Sequence, residues 1–363
     1  MPSSKDPQVT YEQPPMAPEN EVALLARRVP KAEMHMHHMG SQSPSEYARL
    51  VKATRGRALS REEANAAYDN RGVGKFFDDL DRAVRLWGDT TSVTMGALRM
   101  ISDAYDRGVR HLELFCTPDL HHAEIGMPPT VLLPAVAEAF AVARDELGLT
   151  GGIIVAMHRF DGPDVAMTLV EETMPLREQG LPILGYGNDG DHRTVPFEAL
   201  APAYERARGE GFKLCGHADE LEDVVAALDI GLDRIDHGWM AADDAGVLAR
   251  LQASGVGMTF TPSGYALGGL QSESPWAKAW TVLTDAGVPL AVGTDDPELH
   301  HTDIAQDYAL LARTLGWNKV DVGAAAKTSF DLAWYDESVA VRERASWAAE
   351  IDALVEDPRA PRR

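Results

Sequence analysis

Apolar and polar residues along this chain keep two rhythms. Short β-rich runs bounded by Gly, Pro or Asp read as strands: KAEMHMH (31–37), VRHLELFC (109–116), GGIIVAMH (151–158), PILGYGND (182–189), FKLCGHA (212–218), RIDHG (234–238), GVGMTFTP (255–262) and PLAVGTDD (289–296). Between most of them lie longer stretches with apolar positions at helical spacing, such as VLLPAVAEAFAVARDEL, DVAMTLVEETMPLREQ and VPFEALAPAYERARGE. Eight strands alternating with helices predict an α/β protein of the (β/α)8 TIM-barrel class. A doubly wound open sheet is the alternative, but no G-x-G-x-x-G follows the first strand. The connection over 38–108 is far longer than the others and looks helical (SPSEYARLVKATRG, GVGKFFDDLDRAVRLWG). An insertion there follows a barrel strand and is expected to cover the catalytic face as a helical lid.

Composition narrows the class. Residues 1–20 are polar and Pro-rich and predict a flexible lead-in; 21–350 carry no linker and predict one domain; 351–363 predict a flexible tail. Of 363 residues, 34 are Lys or Arg and 56 Asp or Glu, a formal charge of −22 that repels nucleic acid and anionic lipid. Cys116 and Cys215 both fall in apolar runs, which is no disulfide framework. The N-terminus lacks a signal-peptide pattern, and no run reaches the ~18 apolar residues of a membrane helix. A cytoplasmic enzyme acting on a small molecule is the expectation.

The strand ends carry the chemistry. His35 and His37, then His158, Asp189, His217, His237, and Asp295 with Asp296, all stand where a barrel keeps its active-site groups. Side chains on a strand alternate, so His35 and His37 share a face and Met36 takes the other. KLCGHADE repeats the theme, with an acid three residues past its histidine, and AVGTDDP closes the last strand with two acids that point to different sides. Three neutral imidazoles with one carboxylate suit zinc, with iron or manganese less suited. Water on such an ion drops in pKa from ~16 toward ~7, which is hydrolase chemistry.

KAEMHMHHMGS, HADE, RIDHG and TDDP, in this order and at these strand ends, resemble the adenosine deaminase family of the amidohydrolase superfamily from about Val29 to Trp334. GYGNDGD and RIDHG resemble its adenine deaminase and aminodeoxyfutalosine deaminase branch more than the adenosine enzymes. The resemblance implies one Zn2+ on His35, His37, His217 and Asp295. It implies Glu220 as the acid that protonates a purine ring nitrogen, His237 as the group that orients the water, and Asp296 as a partner of water and base. It places Gly190 against the purine, with Asp189, Asp219, His38 and Tyr265 on the substrate side. The implied reaction is hydrolytic deamination of an adenine-type base or nucleoside derivative, with release of ammonia.

Several positions depart from the family pattern. Met39 stands where an acid is usual, Asp219 where a glycine is usual, Gly264 and Tyr265 where the seventh strand normally ends in Ser-Asn, and His192 where a Glu is usual. A retained metal shell with an altered lining points to the same reaction on a different aminoheterocycle. The alternatives are a mononuclear amidohydrolase acting on an ester or lactone, and a ligand-binding homologue without activity. A bridging Lys on the fourth strand would mark a two-metal site, and PILGYGND has none. Adjacent histidines at 121–122 and 300–301 predict solvated loops, Cys215 a core residue, and Trp87, Phe76 and Phe77 the apolar face of the lid. His158 with Arg159 either meets substrate or caps the barrel, and Trp239 either walls the pocket or packs a helix.

Overall fold

Strand β1 (Lys31–His37) is buried along its whole length, although every second residue is polar. Alternation puts Ala32, Met34 and Met36 into the main core shared with the helices. Lys31, Glu33, His35 and His37 take the opposite face. The polar face of this strand is therefore the inside of a barrel. The computed structural model describes residues 21–68, 82, 84–190, 195–267, 275–335 and 337–357; the lead-in, Phe76, Phe77 and His192 lie outside them.

β1 pairs in parallel with β2 (Val109–Cys116), β2 with β3 (Thr150–His158), β3 with β4 (Ile183–Asp189), and β4 with β5 (Lys213–Leu214). A second parallel set runs β6 (His217–Ala218), β7 (Arg234–His237), β8 (Gly257–Phe260) and β9 (Leu290–Val292). The fifth expected strand is thus two pieces. The break falls at Cys215–Gly216, where a side chain on Gly216 would strike Asn188 Oδ1 at 2.1 Å and Tyr204 Oη at 2.7 Å. Backbone bonds carry the ring across the break, from Cys215 N to the Tyr186 carbonyl (3.0 Å) and from Asp236 N to the Gly216 carbonyl (2.9 Å). On the far side, Met36 bridges Asp295 in parallel. There Asp295 N donates to the His35 carbonyl and His37 N to the Asp295 carbonyl, both at 2.7 Å.

Phe115, Ile154, Ala156, Cys215 and Trp334 form a separate apolar cluster, with Leu184 packed against it. Cys215 is a core residue, as expected. Next to this cluster Arg234 and Glu113 form a fully buried ion pair at 2.8 Å. The guanidinium lies 4.2 Å from the Trp334 ring centroid and also donates to the Met34 carbonyl at 3.2 Å. Glu113 accepts the Trp334 backbone N–H at 2.5 Å. Each charge therefore has several partners, which is what makes such a pair tolerable in a core.

The insertion after β1 is helical where it is described, with helices Pro44–Arg55 and Arg61–Ala66. Ser43 caps the first, and Ser60 with Glu63 forms a capping box on the second. At the other end of the chain the tail begins later than 351. Helix Glu337–Glu356 continues and Ile351 is fully buried, because Gly323 offers no side chain and lets Ile351 and Val355 dock.

His121 and His122 do not share one solvated loop. His121 is fully buried in helix Pro118–Ile125, its ring 5.5 Å from that of His38, while His122 is exposed. Burial pushes His121 down to about 4, and its bond to the Thr117 carbonyl only partly opposes that.

Two predictions follow from these buried groups. Glu113→Gln strands the Arg234 charge and should lower unfolding free energy by about 3 kcal/mol in urea titrations; an unchanged midpoint would contradict that role. His121 is neutral when folded and protonates near 6.5 when unfolded, so its contribution is whole above that pH and is lost as pH falls from 6.5 to about 4. The loss is about 2 kcal/mol at pH 5. The stability gap between wild type and His121→Gln should therefore shrink between pH 7 and pH 5.

Candidate metal centre and active site

The strand ends singled out above converge at one mouth of the barrel. His35 and His37 from β1, His217 from β6 and Asp295 just past β9 bring four ligand-type atoms within 4.8 Å of one another. His217 Nε2 lies 3.0 Å from the Nε2 atoms of both His35 and His37. Asp295 Oδ1 lies 3.4 Å from His37 Nε2 and 3.8 Å from His35 Nε2. Four ligands about 2.0 Å from one tetrahedral ion stand roughly 3.3 Å apart, so the spacing fits one cation.

Outer partners show which way the rings are turned. His217 Nδ1 is 2.6 Å from the Asn188 carbonyl, an acceptor only, so Nδ1 donates and Nε2 is bare. His35 Nδ1 is 2.8 Å from Thr259 Oγ1, whose own proton goes to Asp236 Oδ1 at 2.6 Å. His35 must therefore donate there too, again leaving Nε2 bare. Burial and the neighbouring imidazoles push both residues below the ordinary histidine range. Burial also lowers His37, but Asp189, with Asp296 and Asp295, outweighs it and lifts His37 to about 10. An arriving cation displaces that proton. Phe115 stacks on His37 at 4.9 Å and closes the floor.

His237 and Asp295 both hold φ at 63°, a left-handed conformation that non-glycine residues rarely keep. That conformation turns them to the centre. His237 Nε2 lies 4.0 Å from Asp295 Oδ2 and 3.9 Å from Asp219 Oδ1. Asp296 is buried beside Asp295, and its Oδ1 has no hydrogen-bond partner. A Cβ on Gly40 would lie 1.7 Å from that atom, so only glycine fits there. Glu220 occupies the exposed position just before helix Leu221–Ile230, three residues beyond His217.

Four residues expected on the substrate side have these partners within the protein. Asp189 faces His37 Nδ1 at 3.5 Å and accepts from Thr117 Oγ1 at 2.7 Å, so it serves the ligand shell. Burial raises its carboxyl, yet His37, His217 and His158 hold it well below the usual range. The Gly190 N–H, expected to approach the base, donates to Asp189 Oδ1 at 2.6 Å. Tyr265 is buried with Oη 3.1 Å from His237 Nδ1, behind the ring. His38 is turned away under the insertion, 4.0 Å from the Trp87 ring, because β1 ends at His37 and alternation ends with it.

Asp219 is the expected lining residue that does face the centre. Arg159 is fully buried on Asp223 and the Val195 carbonyl and caps the barrel, while Trp239 packs on the core. His158 pairs with Asp161 at 2.9 Å. Thr259, Asp236, Asn188, Thr117 and Gly40 back the cluster and its acids, and sequence reading gave them no role. Their only signal was a polar residue or glycine inside or beside an apolar strand.

A family model described as adenosine deaminase matches residues 30–346. The chain belongs to the adenosine deaminase family. This family member is 29% identical over 347 residues to an adenine deaminase of Cupriavidus necator, covering 93% of the present chain and 95% of the relative. It is 28% identical over 321 residues to an adenine deaminase of Agrobacterium fabrum, covering 86% and 96%. Among solved structures, an amidohydrolase from Burkholderia ambifaria with bound zinc has TM-score 0.82 and 26% identity, with 96% of each chain covered. The Arthrobacter aurescens adenine deaminase structure shares the fold, with TM-score 0.82 at 22% identity over 91% of this chain and 100% of that one.

For this deaminase-family centre, His35→Ala should abolish retention of a divalent metal. Thr259→Val, which removes the acceptor behind His35 together with the donor to Asp236, should weaken metal affinity about 10- to 100-fold in chelator competition. Equal affinity in Thr259→Val would mean that the outer hydroxyl does not set the ring.

Proposed function

We propose that this protein is a zinc-dependent aminohydrolase that replaces the exocyclic amino group of an adenine-type base or derivative by oxygen and releases ammonia. The observation that carries it is the meeting of three inward imidazoles and Asp295 beside His237, within the match to the adenosine deaminase family. Three nitrogens and one oxygen favour zinc, and the zinc-bound Burkholderia structure supports that choice. A single ion is supported by β4, ILGYGND, which offers no lysine to bridge a second. Such an ion supplies a water-derived nucleophile at neutral pH.

The protein's own groups do the rest. His237 Nε2 holds the attacking water and takes its first proton, with Tyr265 fixing the ring from behind. Glu220, hinged at the start of its helix, protonates a ring nitrogen and makes the neighbouring carbon electrophilic. The unpartnered Asp296 Oδ1 receives a hydrogen-bonding edge of the base. Asp189 keeps His37 in register.

The test is an ammonia-release screen over adenine, adenosine, their N6- and ribose-modified forms and other aminoheterocycles, with metal measured on the same sample. Glu220→Gln should keep its metal and lose at least about 100-fold in turnover. Full turnover in that variant, or metal-loaded protein inert on the whole panel, would overturn the assignment.

A further inference from the structure

Asp219 adds a carboxylate to the reaction centre itself. His237 Nε2 lies between two carboxylates, Asp295 Oδ2 at 4.0 Å and Asp219 Oδ1 at 3.9 Å. With the attacking water held at His237 Nε2 as proposed above, a carboxylate 3.9 Å from that atom stands on the side of the reacting carbon and not of the far edge of a base. A separation of 3.9 Å is too long for a hydrogen bond, yet it lets one nitrogen bond to both groups at once. The backbone is anchored: Asp219 N donates to Asp223 Oδ2 at 3.3 Å, and Asp223 pairs with the fully buried Arg159. The side chain remains 34% exposed, which gives a small cation a way out.

We propose that Asp219 is a catalytic carboxylate for the leaving amine, accepting its N–H as the carbon–nitrogen bond breaks and holding the ammonium ion that forms. The inference rests on the aminohydrolase reading above. The oxygen of the attacking water bonds to carbon, and its first proton goes to His237 Nε2. The carbon–nitrogen bond then breaks with its electron pair on nitrogen. That nitrogen takes the His237 proton and leaves as ammonia, while the hydroxyl proton left on the carbon's oxygen returns to Glu220. Nitrogen gains positive character as it is protonated, and Asp219 stands next to the atom that delivers the proton. Ammonia then takes a solvent proton and pairs with the carboxylate as ammonium.

A chloride leaving group distinguishes this role from simple positioning, because it departs as an anion and gains nothing from a carboxylate. Zinc-loaded wild type, Asp219→Gly and Asp219→Asn are assayed on adenine for ammonia and on 6-chloropurine for chloride. Asp219→Gly should lose about 30-fold in kcat/KM on adenine, the size of one charge-assisted hydrogen bond, and change less than about threefold on 6-chloropurine. Asp219→Asn should fall between. Added ammonium should inhibit chloride release by wild type and not by Asp219→Gly. An equal fall on both substrates, no fall on adenine, or ammonium inhibition that persists in Asp219→Gly overturns the proposal. If neither purine reacts with metal-loaded wild type while another aminoheterocycle releases ammonia, the amine-against-chloride comparison is made on that ring. If no amine is released from any ring, the aminohydrolase reading fails and this proposal falls with it.

Discussion

Everything at this centre answers to one constraint: the Nε2 atoms of three buried imidazoles are held about one van der Waals contact apart, with a carboxylate beside them. Two of the three expose bare lone pairs and the third, lifted to about 10 by the acids around it, carries a proton that an arriving cation replaces. Each ring is pinned at its other nitrogen by a group from another strand: Thr259 of β8 for His35, Asp189 of β4 for His37 and the Asn188 carbonyl of β4 for His217. The barrel makes this possible, since its inward faces bring groups from non-adjacent strands together behind each ring. Closure between β1 and Asp295 is part of the same device. The bonds that complete the ring also set the position of the fourth ligand.

The polar lining continues below the centre. Glu113, Arg234 and Asp236 share the barrel interior, with Arg234 Nε 3.7 Å from Asp236 Oδ1. Asp236 in turn takes the Thr259 proton that fixes the His35 tautomer. The buried ion pair is thus joined to the ligand shell through one carboxylate. Replacing it with apolar residues could preserve stability, but would remove the charge that holds Asp236 in place.

How much could be read from the sequence follows from how local each cause is. The strand runs were legible because β-rich segments bounded by turn residues are a local signal, and the His35–Met36–His37 alternation fixed which rings meet. The fifth strand broke where reading stopped being local, at a glycine that makes room for Asn188 and Tyr204 from other elements. The same limit explains Asp189 and Tyr265. Both were expected at the substrate, and the partners that could not be read locally are histidines brought to them by other strands. The direction of His38 was not legible for a different reason, because the strand period ends at His37 and gives no direction to the next side chain. The late start of the tail depended on Gly323, distant in sequence from Ile351.

Departures from the family pattern fall where substitution disturbs least else. A ligand change breaks a four-atom geometry and takes the imidazole donor from an outer partner such as Thr259 or the Asn188 carbonyl in a buried site. Gly40 is equally constrained, since any side chain there collides with Asp296. Asp219 has more freedom than Tyr265. One stands partly exposed on the loop after β6, and the other is buried with its hydroxyl on His237 Nδ1 and its ring edge-on to that imidazole at 5.7 Å. Tyr265 shows how such a change can be absorbed, because Gly264 beside it leaves the room that His300 and Thr261 occupy around it. Asp219 adds negative charge next to the proton-carrying nitrogen, a change in the chemistry of departure more than in the shape of the pocket. The metal geometry thus sets what reaction is possible, and the loop after His217 sets which leaving group it expels most easily.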